Sequence, residues 1–139
     1  MPIKYMIDHD HNCVIKVWAG GVTLDMWYAV ERQLMEDPTL LPGYKMLIDT
    51  RQGTNIKISE ADIAQTASFY KGYQAKVRGV QIAILAGKGF EESRLYERAV
   101  QPLGMNVIVF ANFDTACTWL SLDRKLVSGW LAQLQKGGA

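Results

Sequence analysis

The chain has no excess of charge of either sign. Fifteen basic residues stand against fourteen acidic ones, for a formal net charge of +1, and no segment gathers the run of roughly five or six like charges that marks an interaction tail. The electrostatic footprint of a nucleic-acid binder or an anionic-membrane binder is therefore missing, and neither partner is expected. No apolar stretch reaches the roughly eighteen residues of a membrane span. The amino terminus, Met1-Pro-Ile-Lys-Tyr-Met-Ile-Asp8, lacks the charged-then-apolar build of a signal peptide, so a cytoplasmic protein is expected. Cysteine is scarce. Cys13 and Cys117 are the two thiols, without a CxxC spacing and each inside an apolar run, so they read as small buried hydrophobes rather than a disulfide. There is no internal repeat, no low-complexity tract and no linker long enough to divide the chain. With 139 residues, 49% of them hydrophobic, one domain over 1–139 is expected, its core over about 3–122 and a last helix over about 123–135.

The hydrophobic period supplies the elements. Ile3, Tyr5 and Ile7 alternate with polar neighbours, a half-buried strand, and after the turn at His9-Asp10-His11-Asn12 a second strand, Cys13 to Trp18, completes a hairpin before Ala19-Gly20-Gly21 interrupts it. Thr23 offers a hydroxyl cap to a helix running to about Asp37, with Trp27, Val30 and Leu34 at helical spacing and Pro38 blocking its continuation. Lys45 to Asp49 is a buried strand. Ser59-Glu60-Ala61-Asp62 resembles a capping box and opens a helix whose face is Ile63, Ala67, Tyr70 and Val77. Strand Val80–Leu85, helix Phe90 to about Leu103 and strand Asn106–Phe110 follow, then a short helix Phe113 to about Leu122 and a last helix in which Leu126, Trp130 and Leu134 recur. The order is ββαβαβα plus a C-terminal helix, an α/β chain with one mixed β-sheet flanked by helices.

Parallel strands ending at Asp49, Ala86 and Phe110 place their following turns along a common edge, where open α/β sheets meet ligands. Asp49-Thr50-Arg51-Gln52-Gly53 would there meet Gly87-Lys88-Gly89 and Ala111-Asn112, joining an acid, a hydroxyl and two cations. Lys88 between glycines evokes a phosphate cradle but lacks the full P-loop spacing. His9, Asp10, His11 and Cys13 can each donate to a cation, yet consecutive turn positions project in different directions and no second His or Cys cluster exists, so no metal is expected. No nucleophilic triad is evident, since neither histidine has a route to Cys117. The aromatics Trp18, Trp27, Tyr70, Tyr73, Phe90 and Tyr96 read either as core or as the walls of an apolar pocket.

The succession Val22-Thr23-Leu24, Asp37-Pro38, Pro42-Gly43-Tyr44-Lys45, Leu47-Ile48-Asp49-Thr50-Arg51 and Phe110 to Ala116-Cys117-Thr118-Trp119-Leu120 resembles the STAS/SEC14-like, or SpoIIAA-like, proteins over about residues 3–122. Gly89-Phe90-Glu91-Glu92-Ser93-Arg94-Leu95-Tyr96 resembles the segment after that family's next strand and singles out Arg94. The resemblance implies a mixed sheet flanked by helices and a binding or regulatory module. The anti-sigma-factor antagonists of the family carry a phosphoacceptor serine after the aspartate in an Asp-Ser-Ser-Gly pattern. Here the matching run is Asp49-Thr50-Arg51-Gln52-Gly53, with Arg51 in place of the second serine, so phosphorylation-controlled antagonism does not transfer directly, although Thr50 and Thr54 remain available hydroxyls.

Three functional expectations result. The first is a non-catalytic STAS-like protein-interaction or regulatory module binding an unidentified protein partner through Asp49, Thr50, Arg51, Lys88 and Arg94, without a cofactor. The second is a carrier or sensor of a small apolar or amphipathic, lipid-like ligand. The third is an enzyme with Asp49 as base and Arg51 or Lys88 as anion clamp. A homodimer through the apolar stripe of the last helix stands beside these.

Overall fold

The computed structural model describes residues 2–87 and 90–136. Strands β1 (Ile3–Asp8) and β2 (Cys13–Thr23) form the amino-terminal hairpin, paired antiparallel from Ile3↔Trp18 to Asp8↔Cys13. Helix α1 (Leu24–Glu36) starts where the Thr23 hydroxyl accepts the Met26 N–H at 3.3 Å. Strand β3 (Lys45–Lys57) leads to α2 (Glu60–Lys71), which opens with a reciprocal capping box between Ser59 and Asp62, and then to the one-turn helix α3 (Gln74–Val77). Strand β4 (Gln81–Leu85), helix α4 (Phe90–Val100), strand β5 (Asn106–Phe110), helix α5 (Phe113–Leu120) and helix α6 (Arg124–Lys136) complete the order.

The five strands lie side by side in chain order, β1-β2-β3-β4-β5, with β1 antiparallel and every other pair parallel. Parallel crossovers that always step in one direction and keep one hand return their helices to one face of the sheet. Accordingly α1, α2 and α4 pack on one face over Val14, Trp18, Met46, Ile48, Ile82 and Ile84. Helices α5 and α6 cover the other face over Cys13, Ile15, Val17, Leu47, Ala83 and Leu85. The two sets alternate residue by residue along each strand, as the two-residue period of a β-strand requires. Each of these large side chains contributes about 1.5–3 kcal/mol by leaving water, so both faces are needed to hold the sheet.

Two expectations about element ends are corrected. The Gly20-Gly21 pair does not stop β2: the strand runs on to Thr23, with irregularities in its register between Val17 and Ala19 and between Gly20 and Gly21, and Gly20 at φ +71°. Strand β3 likewise continues past Asp49 to Lys57, pairing with this extension, so Asp49 to Gly53 are strand residues and not a turn. Glycines mark a bulge here because they permit the left-handed backbone that a bulge uses. In α6 the buried residues are Val127 and Leu131, with Trp130 and Leu134 packed beside them, whereas Leu126 is exposed. The helix thus lays its apolar stripe on its own sheet. Among the described residues no helix is long and apolar enough to cross a membrane.

Helix α1 has no basic residue in its last turn. Lys76 of α3 supplies the charge from outside: its ammonium donates to the carbonyls of Leu34 at 3.0 Å, Met35 at 2.9 Å and Asp37 at 2.8 Å, satisfying acceptors that a helix end leaves open. Replacing Lys76 with Met should lower stability by about 1–3 kcal/mol, as read by urea denaturation; a loss within experimental error would show that water satisfies these carbonyls equally well.

Candidate functional site

A cavity of about 240 Å³ lies between the sheet and the layer formed by α1, α2 and α4. Its floor is Trp18, Ile48, Thr50 and Ile84 of the three central strands, and Trp27 and Ile63 close two sides. Glu92, Ser93 and Tyr96 of α4 form a third side, with Glu92 exposed at the rim. The sequential strand order has no reversal, so the crevice that opens where strand order switches is not made here. The space sits beneath the helix layer instead. Trp18 is 9% exposed, and its indole N–H has no hydrogen-bond partner among the described residues, an unusual condition for a buried donor.

A chain of buried polar groups reaches this cavity from the core. Lys16, on the same face of β2 as Val14 and Trp18, places its ammonium 2.6 Å from a carboxylate oxygen of Glu31 on α1, with both side chains only 1% exposed. The Tyr70 hydroxyl of α2 donates to the other carboxylate oxygen of Glu31, and the Tyr96 hydroxyl lies 2.9 Å from that of Tyr70. Burial raises the pKa of Tyr70 well above its ordinary value, and the Glu31 charge adds to the effect. Tyr96 is raised by the same two causes. Tyr44 is raised in the same way, first by burial and then by Glu31 and Tyr96. Rings stack edge to face around the chain, Trp27 against Tyr70 at 5.7 Å and Tyr70 against Tyr96 at 6.5 Å.

The residues expected to share one rim are divided by the strand period. Thr50 faces the cavity side and donates its hydroxyl hydrogen to the Leu85 carbonyl at 2.7 Å. Asp49 and Arg51 point to the opposite face. The Arg51 guanidinium grips both oxygens of Asp49, Nε at 2.9 Å and Nη2 at 2.8 Å, and the Arg51 backbone N–H adds a third bond at 3.0 Å. Those hydrogen bonds raise the pKa of Arg51. Asp49 is 3% and Arg51 44% exposed, so the acid is consumed by the pair and only the guanidinium reaches solvent. Asp49 does not line the cavity, so it is not placed to act as a base there. Arg94 is exposed on α4 and does not line the cavity, and Lys88 lies outside the described residues. In the amino-terminal turn His9 bonds Thr39, His11 bonds Asp8 and Cys13 is buried under α5 and α6, so the three diverge.

Sequence reasoning passed over Lys16 and Glu31, although each carried a signal. Lys16 has the inward parity of Val14 and Trp18, and Glu31 lies on the apolar stripe of α1 between Trp27 and Leu34. A charge on each of two facing buried surfaces is the pattern of an internal ion pair.

No family model matches the chain, and no curated protein does. A solved structure does: an uncharacterized protein from the DUF3478 family with a SpoIIAA-like fold, from Shewanella loihica PV-4. It aligns over 85% of this chain and 93% of its own, with a TM-score of 0.54 and 15% sequence identity. The chain has a SpoIIAA-like fold. Within the SpoIIAA-like frame, the mixed five-stranded sheet with flanking helices agrees with the architecture read from the sequence, and the likeness at this identity concerns the fold alone.

Two predictions follow from the buried chain. Lys16→Met leaves Glu31 without its counter-ion and should cost about 3–5 kcal/mol of stability, while Lys16→Met with Glu31→Leu should recover most of that loss; equal losses in the single and double variants, by chemical denaturation, would contradict a buried pair. In alkali the native protein should keep Tyr44, Tyr70 and Tyr96 protonated while the unfolded chain ionises at about pH 10, so stability falls as pH rises past that point. Ultraviolet titration showing all six tyrosines ionising together before unfolding would refute the burial of these phenols.

Proposed function

We propose that this chain is a non-catalytic binding module of SpoIIAA-like fold that carries or senses a small, largely apolar ligand in the cavity between its helix layer and its sheet. The observation that carries the reading is the cavity itself, walled by Trp18, Trp27, Ile48, Ile84 and Tyr96, with the hydroxyls of Thr50 and Thr66 among its lining residues. Pockets that hold small molecules are of this kind, mainly apolar with a few placed polar groups. At about 240 Å³ the cavity suits a molecule of one ring or a short chain rather than a two-chain lipid. Catalysis has less support, since the nearest acid on the sheet, Asp49, is held by Arg51 on the other face.

A second reading, a protein-interaction surface, rests on Arg51. Its half-exposed guanidinium borders a shallow groove with Phe113, Ser128 and Gln135 of α5 and α6, which would suit an acidic segment of a regulatory partner. Asp49 would then orient the guanidinium, and Arg94, exposed on α4, would be recruited only if the partner reached around the sheet edge.

Native mass spectrometry of gently purified protein should show an adduct of defined small mass. The Ser93→Trp variant, which puts a large ring at the cavity mouth, should lose the adduct while unfolding at nearly the same temperature as the parent. An adduct retained by Ser93→Trp would place the ligand elsewhere. Apo protein throughout, with no thermal shift across a library of small aromatic and aliphatic compounds, would remove the carrier reading.

A further inference from the structure

The direction of the hydrogen bonds around the cavity defines what a ligand must offer. As the ion-pair partner of Lys16, Glu31 is a carboxylate, which can only accept, so the Tyr70 hydroxyl spends its hydrogen on it. Tyr70 then has only a lone pair for its neighbour, and the contact of 2.9 Å between the two phenols requires that Tyr96 donate to Tyr70. Tyr96 therefore has no hydrogen left for the cavity. The same holds for the two hydroxyls buried in its wall: Thr50 donates to the Leu85 carbonyl at 2.7 Å and Thr66 to the Ile63 carbonyl at 2.6 Å, while the other two lining hydroxyls, Thr54 and Ser93, are exposed and half-buried. Whatever these three oxygens offer a ligand is lone pairs. The rim adds the Glu92 carboxylate. Among the described residues the Trp18 N–H and the Tyr44 hydroxyl lack partners, but both atoms are closed off from a water-sized molecule and neither is offered to the cavity.

We infer that the cavity takes an uncharged amphipathic molecule whose polar end donates hydrogen bonds, an alcohol or a primary amide on a small ring or short chain, and that it rejects carboxylates. This rests on the cavity-ligand reading above and specifies its head group. A carboxylate brings lone pairs against the lone pairs of Tyr96, Thr50 and Thr66 and a negative charge past Glu92, and it must shed its hydration to do so. An amide or hydroxyl group matches the wall, because its hydrogen goes to a phenol or threonine oxygen. The selectivity is set at a distance, because Glu31 fixes the hydrogens of Tyr70 and Tyr96 without touching the ligand.

Isothermal titration of four probes with one ring and different ends tests this: phenylacetamide, 2-phenylethanol, phenylacetate and ethylbenzene. The amide and the alcohol should bind at least about tenfold more tightly than phenylacetate, the amount that one or two well-placed hydrogen bonds supply. Phenylacetate binding as tightly as the amide overturns the head-group inference and leaves the cavity reading standing; failure of all four to bind overturns both. Tyr96→Phe, checked for folding by circular dichroism, should weaken the amide and the alcohol by about threefold to tenfold and leave ethylbenzene unchanged. Tyr70→Phe gives the sharper result. It returns the Tyr96 hydrogen to the cavity, so the preference for amide over carboxylate should shrink at least about fivefold, and an unchanged ratio would show that Glu31 does not set the direction.

Discussion

The contact between Lys16 and Glu31 is the constraint on which the rest of this molecule turns. An ammonium and a carboxylate enclosed between a sheet and a helix lose their hydration, and their attraction repays that loss only when the pair is close and its remaining lone pairs are used. Both conditions are met, with 2.6 Å between the ions and Tyr70 taking the second oxygen. A pair of this kind adds little net stability over apolar residues of the same volume. What it provides is a fixed polarity. With Glu31 held as an acceptor, the hydroxyl hydrogens of Tyr70 and Tyr96 have one arrangement, and the cavity at the end of the chain has one hydrogen-bonding character.

The position of that cavity is a consequence of winding. Strands laid down in order, each crossover of the same hand, put α1, α2 and α4 on a single face and leave α5 and α6 for the other. The first face receives three helices that must also accommodate Trp18, Trp27, Tyr70 and Tyr96, and large rings meeting edge to face leave space that smaller side chains would fill. The second face mixes small groups, Cys13, Ala83, Ala116 and Cys117, with aliphatic side chains such as Ile15, Leu47 and Leu85. The cavity that could take a ligand lies on the first of these faces.

The architecture was legible in the sequence because it depends on periods. Alternation in β1, helical spacing of Trp27, Val30 and Leu34, the hydroxyl cap at Thr23 and the capping box at Ser59 are local signals, and β1, α1 and the start of α2 formed where these stood, although α2 ends at Lys71 and Val77, expected on its face, belongs to the separate turn α3. What local signals missed were pairings made at a distance. Strand β3 runs on to Lys57 because β2 continues beside it past its glycines, and no property of Asp49 to Gly53 alone announces that. The same extension explains why Asp49, Thr50 and Arg51 do not form one site: in a turn they converge, whereas in a strand neighbours face opposite ways. Thr50 was recognised for the edge it was expected to line and belongs instead to the cavity wall. Lys16 and Glu31, charged residues at inward positions, mattered more than the exposed charges because burial leaves a charge no partner but the one the fold provides.

Neutron diffraction from a crystal grown in heavy water would test the central claim most directly, since it locates the exchangeable hydrogens of the chain. The account predicts deuterium on Lys16 facing Glu31, on Tyr70 facing Glu31 and on Tyr96 facing Tyr70, with the Tyr96 oxygen bare toward the cavity. Deuterium on the Glu31 carboxyl group, or on Tyr96 directed into the cavity, would contradict it.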